Sequence, residues 1–275
     1  IAAIERAIAL NGVAVDFNLK AFRLGRLHAV DPSRLPELIA ASRSDSAAPP
    51  QTLAEIMVHR ATHLEAYQDR ALAERYRAFV ARVAAAEHAI RPGEEAIART
   101  FARSYAKLLA YKDEYEVARL LTRPELHAEI ARTFQDGAKI SFNLAPPIFT
   151  RPGVGGRPAK REFGRWMLTA MRVLARMKRL RGTWLDPFGR TGERRDERAL
   201  IAEYEALAER MLTTLAPGNH AAVARLLALA DEVRGYGPVK AGAIERYRRD
   251  VAAAEAAVSG GQGRDTGAGR RSAAT

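Results

Sequence analysis

The stretch QTLAEIMVHRATHLEAYQDRALAERYRAFVARVAAAEHAI, residues 51–90, constrains the fold more than any other part of this chain. Its apolar residues recur at the helical period. Leu53, Ile56, Met57 and Leu64 fall near one face with Arg60 among them, and Tyr76, Phe79, Val80 and Val83 carry the period on. Thr52 stands where an N-cap belongs, and Glu55 has the capping-box spacing from it. A break is expected near Gln68, and Arg91-Pro92-Gly93 supplies the stop. Amphipathic helices of this length bury their apolar faces against one another, so the class they point to is a layered, mainly helical domain.

The rest of the chain follows the same pattern with one exception. Residues Ile1 to Leu27 read as two helices broken at Asn11-Gly12, with Val15, Leu19 and Phe22 as an apolar stripe. A helix from about Glu94 to Leu121 would bury Phe101, Tyr105, Leu108, Tyr111 or Lys112, Tyr115, Ala118 and Leu121 or Thr122. Pro124 opens a short helix to Phe134. The period then changes to two: Ile140, Phe142 and Leu144 alternate with Lys139, Ser141 and Asn143. With IFTR (148–151) as a second strand, this gives one small β-hairpin near residues 138–151. EFGRWMLTAMRVLARMKRLRG returns to helix, with Trp166, Ala170, Val173, Met177 and Leu180 as its buried face and Gly182 as its end. A buried Trp166 would make Trp166→Ala cost about 3–5 kcal/mol. Helices over RDERALIAEYEALAERMLTTL, Asn219 to Asp231 and Ala243 to Val258 complete the reading. The expected organisation is an end segment of a preceding domain at 1–30, a linker at 31–51 carrying ASRSDSAAPPQ, a helical domain at 52–258 and a disordered tail at 259–275.

Composition narrows the chemistry. The chain has no cysteine, which excludes disulfides, iron–sulfur ligation and thiolate zinc within it, and agrees with a cytoplasmic location. No apolar run approaches the roughly 20 residues of a membrane span, and no signal peptide is visible. The chain starts at Ile1, without methionine, in a helix that lacks an N-cap, so the natural start is expected upstream. Lysine and arginine number 44 against 32 acidic residues, a net charge of +12. From Lys160 to Arg198 there are 12 basic and 5 acidic residues, which concentrates the excess. Arginine-rich, alanine-rich composition also follows from GC-rich coding. A basic amphipathic helix, KREFGRWMLTAMRVLARMKRLRG, suits an acidic partner, a membrane surface or nucleic acid. Its aromatic residues are not interleaved with its cations, and no nucleic-acid-binding fold is evident, which argues against nucleic acid.

Three motifs fall short of a catalytic assignment. His59 and His63 are spaced i, i+4 on a helix, but no third ligand or HExxH pattern accompanies them. Asp113, Glu114 and Glu116 could pair as acid and base only if their environments separate their pKa values. With Lys112 and Arg119 beside them, they read as an ion-pair network on an exposed helix face. RPGVGGRPAKR (151–161) matches neither GxxxxGK[ST] nor GxGxxG, and its prolines remove backbone donors.

Several segments nevertheless resemble one family. LNGVAVDFNLKAFRLGR resembles the end of the gamma-type domain of 2-oxoacid:ferredoxin oxidoreductases. LLAYKDEYEVARLLT, KISFNLAPPIF, KREFGRWM, LRGTWLDPFGRTGERRDERALIAEYE and VRGYGPVK resemble the uncharacterised C-terminal domain of long, fused indolepyruvate ferredoxin oxidoreductases. The resemblance spans about residues 8–240, in the family's order. It implies CoA-dependent oxidative decarboxylation of indolepyruvate and similar aryl 2-oxoacids. Thiamine diphosphate with Mg would hold the carbanion, iron–sulfur clusters would carry electrons to ferredoxin, and the enzyme would be a homo-oligomer. No Gly-Asp-Gly and no cysteine occur here, so the resemblance puts the cofactor sites upstream and assigns this chain no catalytic residue. The expected role is packing on the catalytic domains or a neighbouring subunit. Lys160, Arg161, Arg194 and Arg195 are the candidate contacts to an acidic surface such as ferredoxin or to the phosphates of coenzyme A. The alternative is a stand-alone basic helical module that binds nucleic acid or an acidic protein.

Overall fold

A computed structural model of the chain describes residues 1–12, 14–36, 51–133, 140–144 and 161–268. The chain divides into two compact units, Ile1–Pro49 and Pro50–Thr275. In the first, α1 (Ala2–Asn11) and α2 (Val15–Val30) form a helical hairpin. Gly12 takes φ 69° and ends α1 in the left-handed conformation that glycine adopts without a Cβ penalty. Val15, Leu19 and Phe22 are half-buried, as their spacing predicts. Arg23 Nε reaches Glu5 Oε1 at 2.9 Å across the hairpin.

In the second unit α3 (Leu53–Tyr67), α4 (Arg70–Ile90) and α5 (Ala96–Leu109) pack in sequence. Thr52 and Glu55 form the expected capping box, and Asp69 caps α4, so the break near Gln68 is a real helix boundary. Helix α5 lies at the centre. It touches α3 and α4, and also α9 (Gly192–Thr214), α10 (His220–Ala228) and the 3-10 turn Leu229–Glu232. Its alanines 98, 102 and 106, four residues apart, are all buried; side chains this small let neighbours approach closely. Phe101 stacks on Tyr204 of α9 with centroids 5.5 Å apart, and Phe79 packs tilted against it at 4.8 Å. Each buried tyrosine around it finds an acceptor: Tyr76 at the Ala102 carbonyl, Tyr204 at the Leu227 carbonyl and Tyr105 at Glu205. Helix α11 (Pro238–Ala268) closes the core through Ala243, Ile244, Tyr247 and Val258.

A smaller cluster forms where α6 (Glu114–Leu121) packs on α8 (Met167–Arg176), ahead of the 3-10 turn Met177–Leu180. Ala118, Phe142 and Met171 are its buried centre, with Leu144, Phe163, Leu168 and Leu174 around them. Helix α7 (Pro124–Thr133) follows α6. The hairpin is present: β1 (Phe142–Leu144) buries Phe142 and exposes Asn143, in the alternation the sequence shows. Its partner is β2 (Arg161–Phe163), antiparallel with Phe142 opposite Phe163. By sequence pattern alone those residues belong to the basic helix that begins KREFGRWM. Residues 148–151 and the glycine-rich segment 151–160 lie outside the described residues, as does the linker 41–50.

Three expectations are corrected. The helix read from Glu94 to Leu121 is two helices, because Asp113 caps a new helix start at α6. The final helix begins at Pro238 and its backbone continues to Ala268, through glycines that composition read as tail; once a helix is packed, each further residue adds a bond without a new nucleus. The inward face of α8 carries Met167, Met171 and Leu174, whereas Trp166 is 64% exposed and Val173 and Met177 also face solvent. Trp166 packs edge-on to Phe163, at 5.9 Å between centroids. Trp166→Ala is therefore expected to cost less than about 1 kcal/mol, far below a core tryptophan, by urea denaturation.

Candidate functional site

Three of the sequence segments that carry the family resemblance converge on the junction between α5 and α6. The first supplies Tyr111 to Glu116, the second the loop from Arg181 to Arg198, and the third Val233 to Lys240. Asp113 is 4% exposed. Its Oδ1 caps α6 by accepting from the Glu116 N–H at 2.8 Å, and also accepts from Arg181 Nη2 at 2.9 Å, while Arg181 Nε donates to Oδ2. The third Arg181 nitrogen donates to the Tyr67 carbonyl at 2.9 Å, and the guanidinium lies 3.6 Å from the Tyr67 ring centroid. Tyr67 in turn donates its hydroxyl to the Tyr111 carbonyl at 2.9 Å. A buried charge is tolerated when it is paired and hydrogen-bonded in this way.

The loop after Arg181 folds around Asp186. That carboxylate accepts from the Gly182 N–H at 2.8 Å, from the Phe188 N–H at 3.0 Å and from the Tyr115 hydroxyl at 3.0 Å. Burial, with the bond to Asp186, pushes the Tyr115 phenol well above its usual pKa, so it stays a donor. Gly189 is required by close approach: a Cβ there would lie 2.6 Å from Asp186 Oδ2.

The four cations singled out from the sequence are not one cluster. Lys160 lies outside the described residues. Arg161 is exposed on β2, and Arg195 is exposed on α9. Arg194 turns inward, donates to Glu197 at 2.5 Å and lies 3.5 Å from Glu114. Lys240 adds a second cation to Glu197. Two cations and two carboxylates thus compensate one another, and burial raises the Glu114 pKa against the pull of Arg194. The acidic run at 113–116 is correspondingly internal. Glu116 is bound at both oxygens by Arg119, at 2.8 and 2.7 Å, with His63 at 3.8 Å, and Lys112 sits over the Tyr236 ring instead of pairing with Glu116. The expectation of an exposed helix face fails because this face meets the Arg181 loop. Sequence spacing reached Glu116 and Arg119, but the Asp113–Arg181 pair joins positions 68 residues apart, beyond any local pattern.

No group of three or more histidine, aspartate and glutamate residues among the described residues is placed to hold a metal, and His59 and His63 gain no third ligand there. With no cysteine in the chain, its residues do not fit iron–sulfur clusters.

The outer side of α8 is one surface that reaches solvent without a compensating charge among the described residues. Trp166, Val173 and Met177 stand exposed, and Arg165, Arg172, Arg176 and Arg179 around them are exposed with no ion-pair partner among the described residues. No helix among the described residues is long and apolar enough to cross a membrane.

Residues 53–253 match the model of a family described as a family of unknown function (DUF6537). No curated protein and no solved structure matches the chain.

Proposed function

The chain belongs to the DUF6537 family, and from that premise we propose that it is the C-terminal part of a cytoplasmic, thiamine diphosphate-dependent indolepyruvate:ferredoxin oxidoreductase, in which it assembles the enzyme and takes no part in the chemistry. The sequence resemblance supplies the enzyme class. The observation that carries the assembly role is the outer face of α8, an apolar stripe of Trp166, Val173 and Met177 beside arginines that have no ion-pair partner among the described residues. Tryptophan and arginine dominate the energetics of protein interfaces, and an apolar centre with a charged rim is their usual anatomy. The charge of the rim selects an acidic surface, which we assign to the catalytic part of a neighbouring subunit of the same enzyme. The motif segments support the same role, since Asp113, Arg181, Asp186 and Arg194 are spent on internal contacts.

The test is the full-length enzyme carrying Trp166→Glu together with Val173→Glu. Both positions are exposed, so the fold is expected to survive. Light scattering should show loss of the assembled species, with activity falling in parallel. Unchanged assembly and unchanged rates would refute the proposal. A second reading draws on the exposed Arg161 and Arg195: if assembly is unchanged but KM for ferredoxin rises, and rises further with salt, the face docks the electron acceptor. Binding to nucleic acid with a steep salt slope would instead favour a basic polyanion-binding module.

A further inference from the structure

The chain has two tryptophans, and neither enters a core. Trp166 belongs to the α8 face. Trp184 stands 80% exposed in the loop that follows α8, beside Leu185 at 52%. Tryptophan is among the largest side chains and is highly buried on average, so one held in water calls for an explanation. The Asp186 N–H donates to the Thr183 carbonyl at 3.1 Å, which closes a turn with Trp184 and Leu185 as its two central residues. Both side chains stand in solvent at its tip.

The backbone of the turn is tied at several points. Asp186, itself buried, gathers the Gly182 N–H, the Phe188 N–H and the Tyr115 hydroxyl. The Thr183 hydroxyl donates to the Leu180 carbonyl at 2.7 Å, and Arg198 Nη2 donates to the Gly189 carbonyl at 2.7 Å. Phe188 packs edge-on to Tyr115, with centroids 5.4 Å apart. These bonds keep the tip raised, and a preorganised tip loses little conformational entropy when it docks.

The charge around the turn sets the chemistry of what it meets. From Gly164 to Gly192 the sequence has one carboxylate, Asp186, and that one is buried. Arg179 and Arg190 flank the turn in sequence and are exposed, with no ion-pair partner among the described residues. Arg190 Nη2 donates to the Trp184 carbonyl at 3.2 Å, which sets its guanidinium against the turn. We infer that the Trp184–Leu185 turn is an anchor that inserts into an apolar pocket on an acidic protein surface, with Arg179 and Arg190 meeting carboxylates at the rim of that pocket. Tryptophan and arginine are the residues most enriched at binding hot spots. A fixed tip suits a pocket of fixed shape, whereas a bilayer or a single strand would take a mobile tip equally well. That the pocket belongs to a neighbouring subunit of the same enzyme rests on the assembly reading above.

Hydroxyl-radical footprinting of the full-length enzyme, at one concentration that holds it assembled and one that dissociates it, reads the Trp184 indole directly. Oxidation of Trp184 is expected to be several-fold slower in the assembled enzyme and to recover on dilution. Equilibrium sedimentation of variants is the second measure. Trp184→Ala should raise the dissociation constant about thirtyfold or more, and Trp184→Phe much less. Arg190→Gln should raise it about tenfold in low salt and less in high salt. The tip is exposed, so an unchanged Tm is expected in all three. Equal oxidation of Trp184 in both samples, or an unchanged dissociation constant in Trp184→Ala, would overturn the anchor. If Trp166→Glu with Val173→Glu dissociates the enzyme and Trp184→Ala does not, assembly through α8 stands and the anchor alone falls. An enzyme that is monomeric at every concentration removes both. Protection of Trp184 brought on only by vesicles of phosphatidylserine and phosphatidylcholine, or by a single-stranded oligonucleotide, would also overturn it and make the turn a polyanion contact.

Discussion

Replacing Arg181 by alanine is expected to lower the unfolding free energy by about 3–5 kcal/mol, the usual cost of leaving one member of a buried ion pair without its partner. The side chain is 3% exposed, as is that of Asp113. Its loss strands the Asp113 carboxylate, removes the donor to the Tyr67 carbonyl and empties the space over the Tyr67 ring. Three helices meet through those contacts, since Tyr67 ends α3, Asp113 starts α6 and Arg181 follows α8. A double variant, Asp113→Leu with Arg181→Met, should recover much of the loss, because replacing both charges removes the desolvation penalty along with the attraction. Urea denaturation of the three variants checks this. A single-variant loss under about 1 kcal/mol would show that the pair is solvated rather than buried.

Glu87→Ala is expected to have an effect of similar size, about 3–5 kcal/mol, for a different reason. Helix α5 has no side-chain cap of its own at Glu95. Glu87, fully buried near the end of α4, provides one from the preceding helix by accepting from the Ile97 N–H at 2.9 Å and the Ala98 N–H at 2.8 Å. It also meets His220 Nε2 at 2.7 Å, which ties the start of α10 to the same point. Alanine would leave two buried backbone donors and an imidazole without partners at the centre of the core. Glu87→Gln keeps one acceptor oxygen for the two N–H groups and should recover only part of the loss. Equal stability of wild type and Glu87→Ala would mean that water replaces the carboxylate.

These two residues also mark where the sequence stops being informative. Periodicity locates α3, α4, α9 and α10 because each buries one stripe against a single core, and the Thr52–Glu55 box is a local signal that local geometry fulfils. The start of α6 has no glycine or proline to announce it; Asp113 is fixed by an arginine far along the chain. Helix α8 misleads for the opposite reason. Trp166, Val173 and Met177 lie at helical spacing, but so do Met167, Met171 and Leu174, and spacing alone does not say which stripe meets the core. The second strand is lost because three residues are too few to show a period of two. Of the candidate site cations, Arg194 is internal and Arg161 and Arg195 are exposed, a distinction set by Glu197 and Glu114 and invisible in the local charge count.

On the proposed function, the charged segments of this region hold the fold together and stand outside the chemistry. Asp113→Asn and Asp186→Asn in the full-length chain are the test, with thermal stability and, for the proposed function, indolepyruvate-dependent reduction of ferredoxin measured on the same samples. A lower Tm is expected for both variants, with an unchanged kcat per folded enzyme at a temperature where each remains folded. A fall in kcat of about tenfold or more at unchanged Tm would contradict it and place these carboxylates in the reaction.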